Sequence, residues 1–460
     1  MLNRKLRVEE DFRLISDELT KIFSPNFLND LARKDLFLQR SSKFEPKDFI
    51  ALCGFLNHQS GKKSLTQLCG VLASERNISL STEGLNQRFC EAGVNLLKDV
   101  LSTLTLKQFL SDLPPSLRHA KIGRIRILDS TSFELPIFYQ EKYFGYHKSG
   151  VRIQLEYELL KGELMHLVVQ DQLDSDHVFA EGIMSTIRKF DLIIRDLGYL
   201  SYETLRSISE AEAYYISRAA TKILAYVKDG KENFIRLDVE KIMEEMEIGE
   251  TREIEDIYAG KGKLKIPRLI LCKLTDEQTE KRLKRRKRKE IKNGVKFSHQ
   301  TKKLARLNMF ITNIPYNVIP KKEIQPLYSL RWQIEILFKA WKSIYEINKV
   351  KKMKVERFEC HLYGTLISLL ITSTLAFKIR ELLYLKKEKE ISEFKAFSII
   401  KEFLATLYQA LMEGGEALLA NIAVMFEQVE KNGQKAKRLK KRTPFEILLG
   451  VFEQSTMKTA

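Results

Sequence analysis

One segment of the chain combines an apolar stripe with a charged face: Tyr328-Ser-Leu-Arg331-Trp-Gln-Ile-Glu335-Ile-Leu-Phe-Lys-Ala-Trp-Lys342. Because an α-helix turns about 100° per residue, Glu335 lies about 40° and Lys342 about 20° from Arg331, with Tyr328 about 60° to the other side. We therefore expect one helix that presents a carboxylate, two cations and a phenol on a common face. The apolar stripe beside that face is typical of a core contact, and it contains Leu330, Ile334, Leu337, Trp341 and Ile344.

This mixture of side chains suits a metal-bound phosphodiester. A carboxylate can bind the metal, while cations and a phenol can bind the phosphate oxygens. The alternative is an ordinary surface helix whose Glu and Lys side chains are only solvated. The helix alone does not separate these two interpretations, so the rest of the chain must.

The charge of the chain indicates a polyanionic partner. The 460 residues carry a formal net charge of +18, with 44% hydrophobic and 30% charged residues and a pI near 9.4. Nucleic acid and an anionic membrane surface both fit such an excess, and a merely basic soluble protein is the alternative. The longest uncharged stretch, Leu362 to Phe377, is short for a membrane span and favours a buried helix. Nucleic acid is therefore the favoured anion.

The cysteine pattern and the first residues of the chain indicate the cellular compartment of the protein. The five cysteines are scattered without a C-x-x-C pair, and no H-x₃₋₅-H pair exists. This pattern argues for a reducing cytosol and against a disulfide framework or a zinc site. The first residues are charged and lack the apolar core of a signal peptide. We therefore expect a cytoplasmic protein.

The hydrophobic periodicity divides the chain into five predicted segments. Residues 1–115 are helical, and we assign them to binding of a DNA end. The helices flanking Ser74 to Leu80 loosely resemble a helix-turn-helix, although many plain helical domains have the same pattern. Residues 116–221 follow the order β-β-β-α-β-α-β, which predicts an α/β mixed sheet with one antiparallel side. Residues 222–308 form a strand-rich basic insertion, residues 309–380 complete the core with the charged helix, and residues 381–460 form a helical region suited to dimerisation.

The insertion contains the strongest run of positive charge. Between Lys281 and Arg306 there are thirteen Lys and Arg residues against Glu290 alone. Such runs bind polyanions without a sequence code, so we expect a helix or arm along a phosphate backbone, contacted by Arg285, Arg286 and Arg288. A disordered basic arm is the alternative.

Two aspartates follow apolar strands. Asp129 comes after Arg124 to Leu128, and Asp196 comes after Leu192 to Arg195. A carboxylate at the end of a buried strand is costly unless it is paired or binds a cation, and two of them close together need a cation between them. With Glu335 they form an all-oxygen set that suits two Mg²⁺ or Mn²⁺ ions, which could activate a water or a 3′-hydroxyl. Each aspartate taken alone could instead be a turn or cap residue.

At these residues the chain resembles a known family. Asp129-Ser-Thr, Asp196-Leu-Gly-Tyr199 and the Y-x₂-R-x₃-E-x₆-K spacing resemble the DDE transposases of the bacterial insertion-sequence group that carries the Y-R-E-K signature. The resemblance covers about residues 60 to 380. One departure is Leu197, where the family commonly has Arg, and this puts a local phosphate or salt-bridge contact in doubt.

The resemblance implies an RNase H-like core flanked by helical domains. It implies that Asp129, Asp196 and Glu335 form the catalytic, metal-binding triad. It also implies that Tyr328, Arg331 and Lys342 contact phosphates at the transposon end, and the flanking Trp332 and Lys339 are typical of the same DNA-binding face. In relatives that cleave through a hairpin, an aromatic residue of the insertion steadies a flipped base, and the candidates in this sequence are Phe234, Tyr258 and Phe297.

The function implied is cut-and-paste transposition of double-stranded DNA. We expect binding of terminal inverted repeats, hydrolysis at each transposon end and transfer of the 3′-hydroxyl into target DNA, by a homodimer in a synaptic complex at the bacterial nucleoid. The alternatives are a catalytically inactive or domesticated DNA-binding protein and an RNase H-like nuclease without strand transfer.

Overall fold

The computed structural model describes residues 2–40, 43–56, 61–107, 119, 121–196, 199, 201–220, 223–294, 296–436 and 442–456. The chain forms two compact units. The first comprises Met1–Leu113, Ser130–Asp174 and Gln333–Lys441, and the second comprises Pro114–Asp129, Ser175–Trp332 and Arg442–Ala460. We call them the helical unit and the sheet unit.

Helices account for most of the described chain. They are α1 (Leu2–Ile22), α2 (Pro25–Lys34), α3 (Pro46–Ile50), α4 (Leu65–Arg76), α5 (Thr82–Arg88), α6 (Glu91–Leu106), α7 (Asp176–Gly182), α8 (Tyr202–Glu210), α9 (Val239–Glu245), α10 (Asp276–Asn293), α11 (His299–Lys303), α12 (Lys321–Ser329), α13 (Trp332–Ser343), α14 (Val355–Lys387), α15 (Glu393–Glu402), α16 (Leu404–Glu413), α17 (Gly415–Asn432) and α18 (Pro444–Thr456).

Ten strands are described. They are β1 (Arg124–Leu135), β2 (Ser149–Glu158), β3 (Glu163–Asp171), β4 (Asp191–Arg195), β5 (Tyr214–Arg218), β6 (Ala225–Lys228), β7 (Phe234–Arg236), β8 (Thr251–Ala259), β9 (Leu264–Lys273) and β10 (Leu307–Thr312).

The helical unit is built around α14. This 33-residue helix is buried over most of its length, and it packs on α6 and on the π-helical turn Ala51–Phe55 that continues α3. Among the described helices, α14 alone is long and apolar enough to cross a membrane, and its most apolar window is 83% buried inside the protein. The prediction that Leu362 to Phe377 lies in a buried helix is confirmed.

The helical unit combines the N-terminal helices with α14 to α17. Helix α1 packs against α17, and α16 packs against α17 and the π-helical turn. The predicted boundary at residue 381 therefore lies inside one unit, because apolar faces of the N-terminal helices are covered by C-terminal ones. The predicted boundary at residue 115 lies next to the division between the two units at Leu113 and Pro114. Ser81 caps α5, which ends at Arg88, and α6 begins at Glu91. Pro114 and Pro115 lie outside the described residues.

The sheet has the mixed α/β order that the sequence predicts. In the sheet unit the strand order is β1-β4-β5-β10-β9-β8-β6-β7, and in the helical unit β2 follows β1 and β3 follows β2. Strands β1, β4 and β5 are parallel, with Leu128 opposite Arg195 and Arg195 opposite Ser217. The antiparallel β2–β3 pair gives the predicted antiparallel side. The order β3-β2-β1-β4-β5 is that of an RNase H-like sheet.

The basic insertion extends the sheet and shares its hydrophobic core. Strand β10 pairs with β5 on one side and with β9 on the other, both antiparallel. Ile266, Leu269 and Leu271 of β9 belong to the same hydrophobic core as Ile193 and Met309. The predicted boundaries at 222 and 308 therefore cut through one sheet, because pairing between distant strands is not visible in local periodicity.

The first helix after the β2–β3 pair is short. Ser175 caps α7, which ends at Gly182, and a 3₁₀ turn at Met184–Thr186 follows. Thr186 accepts hydrogen bonds from Arg124 and Arg126 of β1 through its backbone oxygen. The backbone at Thr186 therefore accepts hydrogen bonds from two arginines of β1, of which Arg126 is buried and Arg124 is half-buried.

Candidate active site

Asp129 and Asp196 each follow the last register pair of two parallel strands. The parallel pairing of β1 and β4 ends with Leu128 opposite Arg195, so each aspartate is the next residue of its strand or just beyond it. Asp196 follows the end of β4 as predicted. Asp129 does not end its strand, since β1 continues to Leu135. Both carboxylates are half-buried.

Tyr328 and Arg331 each contact one of these aspartates. The hydroxyl of Tyr328 donates to Oδ1 of Asp196 at 3.3 Å, and Nη1 of Arg331 donates to Oδ2 of Asp129 at 2.8 Å. Burial and then the nearby Asp196 carboxylate raise the pKa of Tyr328 to about 12, against the opposing charges of Arg331 and Arg218. The phenol therefore stays protonated at neutral pH and acts as a donor.

The single helix predicted from Tyr328 to Lys342 is wrong in one respect. Helix α12 ends at Ser329 and α13 begins at Trp332, so Arg331 lies in a turn between them. Backbone hydrogen bonds from Leu330 to Leu327 and from Arg331 to Tyr328 span three residues rather than four, which tightens the chain at the end of α12. Tyr328 therefore lies in the last turn of α12, and Arg331 lies in the turn that follows it.

Glu335 and Lys342 both lie on α13. Glu335 is half-buried in the first turn of that helix. Nζ of Lys342 donates to the backbone oxygen of Ser132 at 2.9 Å, and burial lowers the pKa of Lys342. Lys342 thus contacts the strand that carries Asp129, three residues further along it.

The two other predicted DNA-binding residues of this segment are exposed. The Trp332 side chain is 54% exposed, and the Arg331 guanidinium lies 5.7 Å from its ring centroid. Lys339 is exposed, with Nζ 5.0 Å from the Phe394 ring. Both side chains are accessible to a ligand from solvent.

The donor set around the aspartates suits a hard cation. Asp129 and Asp196 supply carboxylate oxygens at neighbouring positions, which is the chemistry that Mg²⁺ and Mn²⁺ prefer. Within the described part of the chain, no group of three or more His, Cys, Asp or Glu residues is already assembled around a metal position. The structure thus places two of the three predicted ligands at the same end of the β1–β4 strand pair.

The basic run is folded. Thr275 forms a capping box with Gln278 at the start of α10, and Gly294 ends it in the left-handed conformation at φ 66°. Arg285 and Arg288 are exposed along α10. The expectation of a helix is confirmed.

Arg286 differs from its two neighbours. It is half-buried, it donates to the backbone oxygen of Thr301, and its guanidinium lies 5.8 Å from the Phe297 ring. Burial and then the charge of Arg218 lower the pKa of Arg286. The sequence placed Arg286 on the DNA-binding face, but in the structure it also holds α10 against the following segment.

The aromatic candidates of the insertion differ in accessibility. Phe234 on β7 is 36% exposed, and its ring lies 5.0 Å from that of Tyr258 at a near-perpendicular angle. Nζ of Lys263 lies 3.7 Å from the Phe234 centroid. Phe297 is instead covered in part by Arg286. Phe234 is therefore the best placed of the three to meet a base.

The sequence patterns did not identify Arg218 as a residue near Tyr328, whose pKa it influences. It is the last residue of β5 and is half-buried. The available signal was its position, because it follows a buried apolar strand as Asp129 and Asp196 follow theirs. Leu197, where the sequence departs from the family pattern, lies outside the described residues.

Comparisons with known proteins identify the family of this chain. Residues 121–371 match the family described as "Transposase DDE domain". The chain is 36% identical to the transposase for insertion sequence element IS231E of Bacillus thuringiensis subsp. finitimus, covering 97% of both chains. It is 31% identical to the transposase for insertion sequence element IS1151 of Clostridium perfringens, again over 97% of each.

Among solved structures, the chain is similar to the piggyBac transposase in its synaptic complex with hairpin DNA. The identity is 8%, the TM-score is 0.44, and the match covers 94% of this chain and 87% of that one. A likeness at this TM-score carries no argument about mechanism. The match to the family over more than half of the chain and the full-length relatives are what decide membership. This chain belongs to the DDE transposases of bacterial insertion sequences, the enzymes that cleave DNA and transfer its strands.

Proposed function

We propose that this transposase acts by a cut-and-paste route: it binds the terminal inverted repeats of its element, hydrolyses a strand at each end and directs the freed 3′-hydroxyl at target DNA. The observation that carries the proposal is the pair formed by Asp129 and Asp196, with Arg331 and Tyr328 hydrogen-bonded to them. Two carboxylates and two phosphate-binding side chains together are what phosphodiester chemistry requires.

Asp129 and Asp196, with Glu335, are the residues we assign to two divalent ions. When bound, such ions polarise the phosphate and make a water or hydroxyl nucleophilic at neutral pH. The carboxylate pair supports this assignment, because two like charges at adjacent strand positions are more stable with a cation beside them.

The cations of the same segment are proposed to bind the phosphate backbone. Arg331 now neutralises Asp129, and it could exchange this partner for a phosphate when ions take its place. Tyr328 is a permanent donor, and Lys342 is fixed by the Ser132 backbone. Trp332 and Lys339 extend this face outward.

Arg285 and Arg288 on α10 are proposed to contact DNA outside the reacting position. Their exposure and the scarcity of acids in this run support binding without sequence preference. The N-terminal helices are proposed to bind the inverted repeat. Two ends must be held together, so we propose a homodimer in the synaptic complex, with residues 381–460 as the contact, acting at the nucleoid in the cytoplasm.

The test uses the full-length protein and a labelled duplex that carries the inverted repeat flanking the coding region. With Mg²⁺ we expect nicking at the end and, with target DNA added, a joined product. Glu335→Gln should abolish both while end binding survives. Glu210→Gln, an exposed position on α8, is the matched control and should cleave normally.

The remaining outcomes separate the alternatives. Cleavage that is unchanged in Glu335→Gln would overturn the triad. Cleavage without joining would indicate a nuclease, and end binding by the wild type without any cleavage would indicate an inactive DNA-binding protein. Product that forms equally in EDTA would contradict a metal-dependent reaction.

A further inference from the structure

Helix α10 contacts the rest of the sheet unit along one edge. Arg282 donates to two backbone oxygens next to the start of β10, at 3.1 and 3.0 Å, and Arg286 donates to the backbone of α11. The Glu290 carboxylate accepts a hydrogen bond of 2.8 Å from the backbone nitrogen of Phe297. With the buried Thr279, these residues are three or four positions apart and therefore form one contact edge of the helix.

The remaining circumference of α10 is exposed. Every residue from Lys281 to Asn293 that lies outside the contact edge is exposed to solvent. Because an α-helix turns about 100° per residue, Arg288 lies about 160° from both Arg286 and Glu290. Arg288 therefore marks the middle of an outer face, on a helix of 18 residues that is about 27 Å long.

Cations lie on both sides of Arg288. Lys284 and Lys287 are about 40° and about 100° round the helix to one side of it. Lys292 and Arg285 are about 40° and about 60° round to the other side. The one acidic residue of this stretch belongs to the contact edge. The outer face of α10 thus has two cationic flanks, separated by an arginine.

Two cationic flanks match the major groove of duplex DNA. That groove is about 12 Å wide and admits one α-helix, and phosphates of opposite strands line its two sides. A helix that lies along a single backbone uses one flank only, whereas a helix in the groove meets phosphates on both. The exposed ion pair of Lys284 with Glu280 contributes little, so it leaves Lys284 able to bind a phosphate.

A membrane surface fits this helix less well. Helices that lie in a membrane interface bury an apolar face opposite their cations. The outer face of α10 has a single apolar residue, Ile291, which is 76% exposed. Duplex DNA is therefore the polyanion that the face matches.

The composition of the outer face distinguishes between two kinds of duplex. It contains Lys, Arg, Glu and Ile but neither Asn nor Gln, the side chains that pair with adenine in the major groove. Contacts to phosphates carry no sequence information. Such a face suits the target duplex better than the inverted repeat, because the repeat has a fixed sequence.

We propose that α10 lies in the major groove of the target duplex, with its two cationic flanks on phosphates of opposite strands. The inference rests on the proposed function, in which target DNA is a substrate, and it adds the form of DNA and the groove that this helix binds. Arg288 then faces into the groove, and the contact edge holds the helix on the protein.

The experiment uses the full-length protein and a branched DNA in which an element end is already joined to a target duplex, so that the target arm has a fixed position. Lys284→Ala/Lys287→Ala removes one flank, and Arg285→Ala/Lys292→Ala removes the other. Each double variant should lower the slope of log Kd against log salt by about 2, one for each phosphate that is no longer neutralised.

A matched control removes two exposed cations elsewhere. Arg188 and Lys189 lie before the start of β4, at the end of that strand away from Asp196. Arg188→Ala/Lys189→Ala should keep the wild-type salt slope. Alanine is a good helix former, so we expect α10 to form in both flank variants. Glutamine replaces alanine in any variant that melts below the assay temperature.

Neutral phosphates determine which strand each flank contacts. Methylphosphonates are placed one at a time on either strand of the target arm. Positions that weaken wild-type binding on one strand should have no further effect in Lys284→Ala/Lys287→Ala, and those on the opposite strand should have none in Arg285→Ala/Lys292→Ala. If both variants lose the effects on the same strand, α10 lies along one backbone and the proposal is overturned. Wild-type salt slopes in both folded variants would also overturn it.

The cleavage step separates the target from the element end. Both flank variants should cleave a labelled end duplex at the wild-type rate and join it to target DNA more slowly. A variant that loses end cleavage while it binds the target arm normally would place α10 on the element end and contradict the proposal. A wild type that binds the branched DNA but cleaves no end refutes the proposed function, whereas a wild type that cleaves, with unchanged flank variants, refutes only this inference.

Discussion

Nη1 of Arg331 donates a hydrogen bond of 2.8 Å to Oδ2 of Asp129, with side chains that are only 11% and 20% exposed. The Arg331 guanidinium thus pairs with the Asp129 carboxylate, which is one of the two candidate metal ligands on the sheet. The arrangement neutralises Asp129 and also holds the turn between α12 and α13 next to β1.

The Arg331–Asp129 pair is therefore predicted to stabilise the fold as a coupled unit. A double-mutant cycle with Arg331→Ala and Asp129→Asn should give an interaction energy of about 1 kcal/mol, since the pair is partly screened from water. The measurement is urea unfolding of the four proteins. The exposed pair Lys189–Glu212 is the control, for which we expect a value near zero. Strict additivity at Arg331 and Asp129 would contradict the prediction.

The difference in free energy of unfolding between the wild type and Tyr328→Phe should depend on pH, because the pKa of the Tyr328 phenol is higher in the folded protein than in the unfolded chain. The pKa of Tyr328 is about 12 in the folded protein against an ordinary 10.0. Between these values the unfolded chain has released the proton while the folded chain keeps it, so the stabilising contribution is complete below pH 10 and is lost as pH rises through 12.

The measured quantity is the difference in free energy of unfolding between the wild type and Tyr328→Phe. At pH 8 it should be about 1 kcal/mol in favour of the wild type, for one buried hydrogen bond. It should shrink at pH 10.5 and again at pH 11.5. A difference that stays constant over this range would show that the phenol does not titrate as expected.

The parts of the site that could be predicted from the sequence depend on patterns of neighbouring residues. The apolar runs before Asp129 and Asp196 are short and continuous, so strand positions and the carboxylates beside them could be found by periodicity alone. The break at Leu330 and Arg331 could not, because Leu, Arg and Trp all tolerate helix interiors and only tertiary contacts select the turn. Arg218 and the joining of β9 to β10 depend on pairing between residues far apart in sequence, and local patterns do not contain that information.

Gly364 allows α14 to pack closely against the π-helical turn Ala51–Phe55 in the helical unit. A Cβ at this position would lie 2.5 Å from the backbone oxygen of Cys53 in the π-helical turn, so α14 or the turn would have to shift. We expect Gly364→Ala to destabilise the protein by about 1–3 kcal/mol through overpacking. Gly70→Ala on α4 is the control, because nothing lies within 4 Å of its Cβ. It should be neutral or slightly stabilising, and a Gly364→Ala protein of wild-type stability would contradict the packing seen in the structure.

Substitutions on the basic helix α10 can separate an effect on DNA binding from an effect on the stability of the protein. Arg285 and Arg288 are exposed, so the double substitution Arg285→Ala/Arg288→Ala should leave the melting temperature unchanged. It should reduce the slope of log Kd against log salt by about 2, one for each phosphate that an arginine no longer neutralises. Arg286→Ala removes the hydrogen bond to Thr301 and the packing against Phe297, so it should also lower the melting temperature. Salt titrations of DNA binding and thermal unfolding of the same preparations measure both effects. If the double variant binds DNA with the wild-type salt slope, α10 does not lie on the phosphate backbone, and its charge is only solvated.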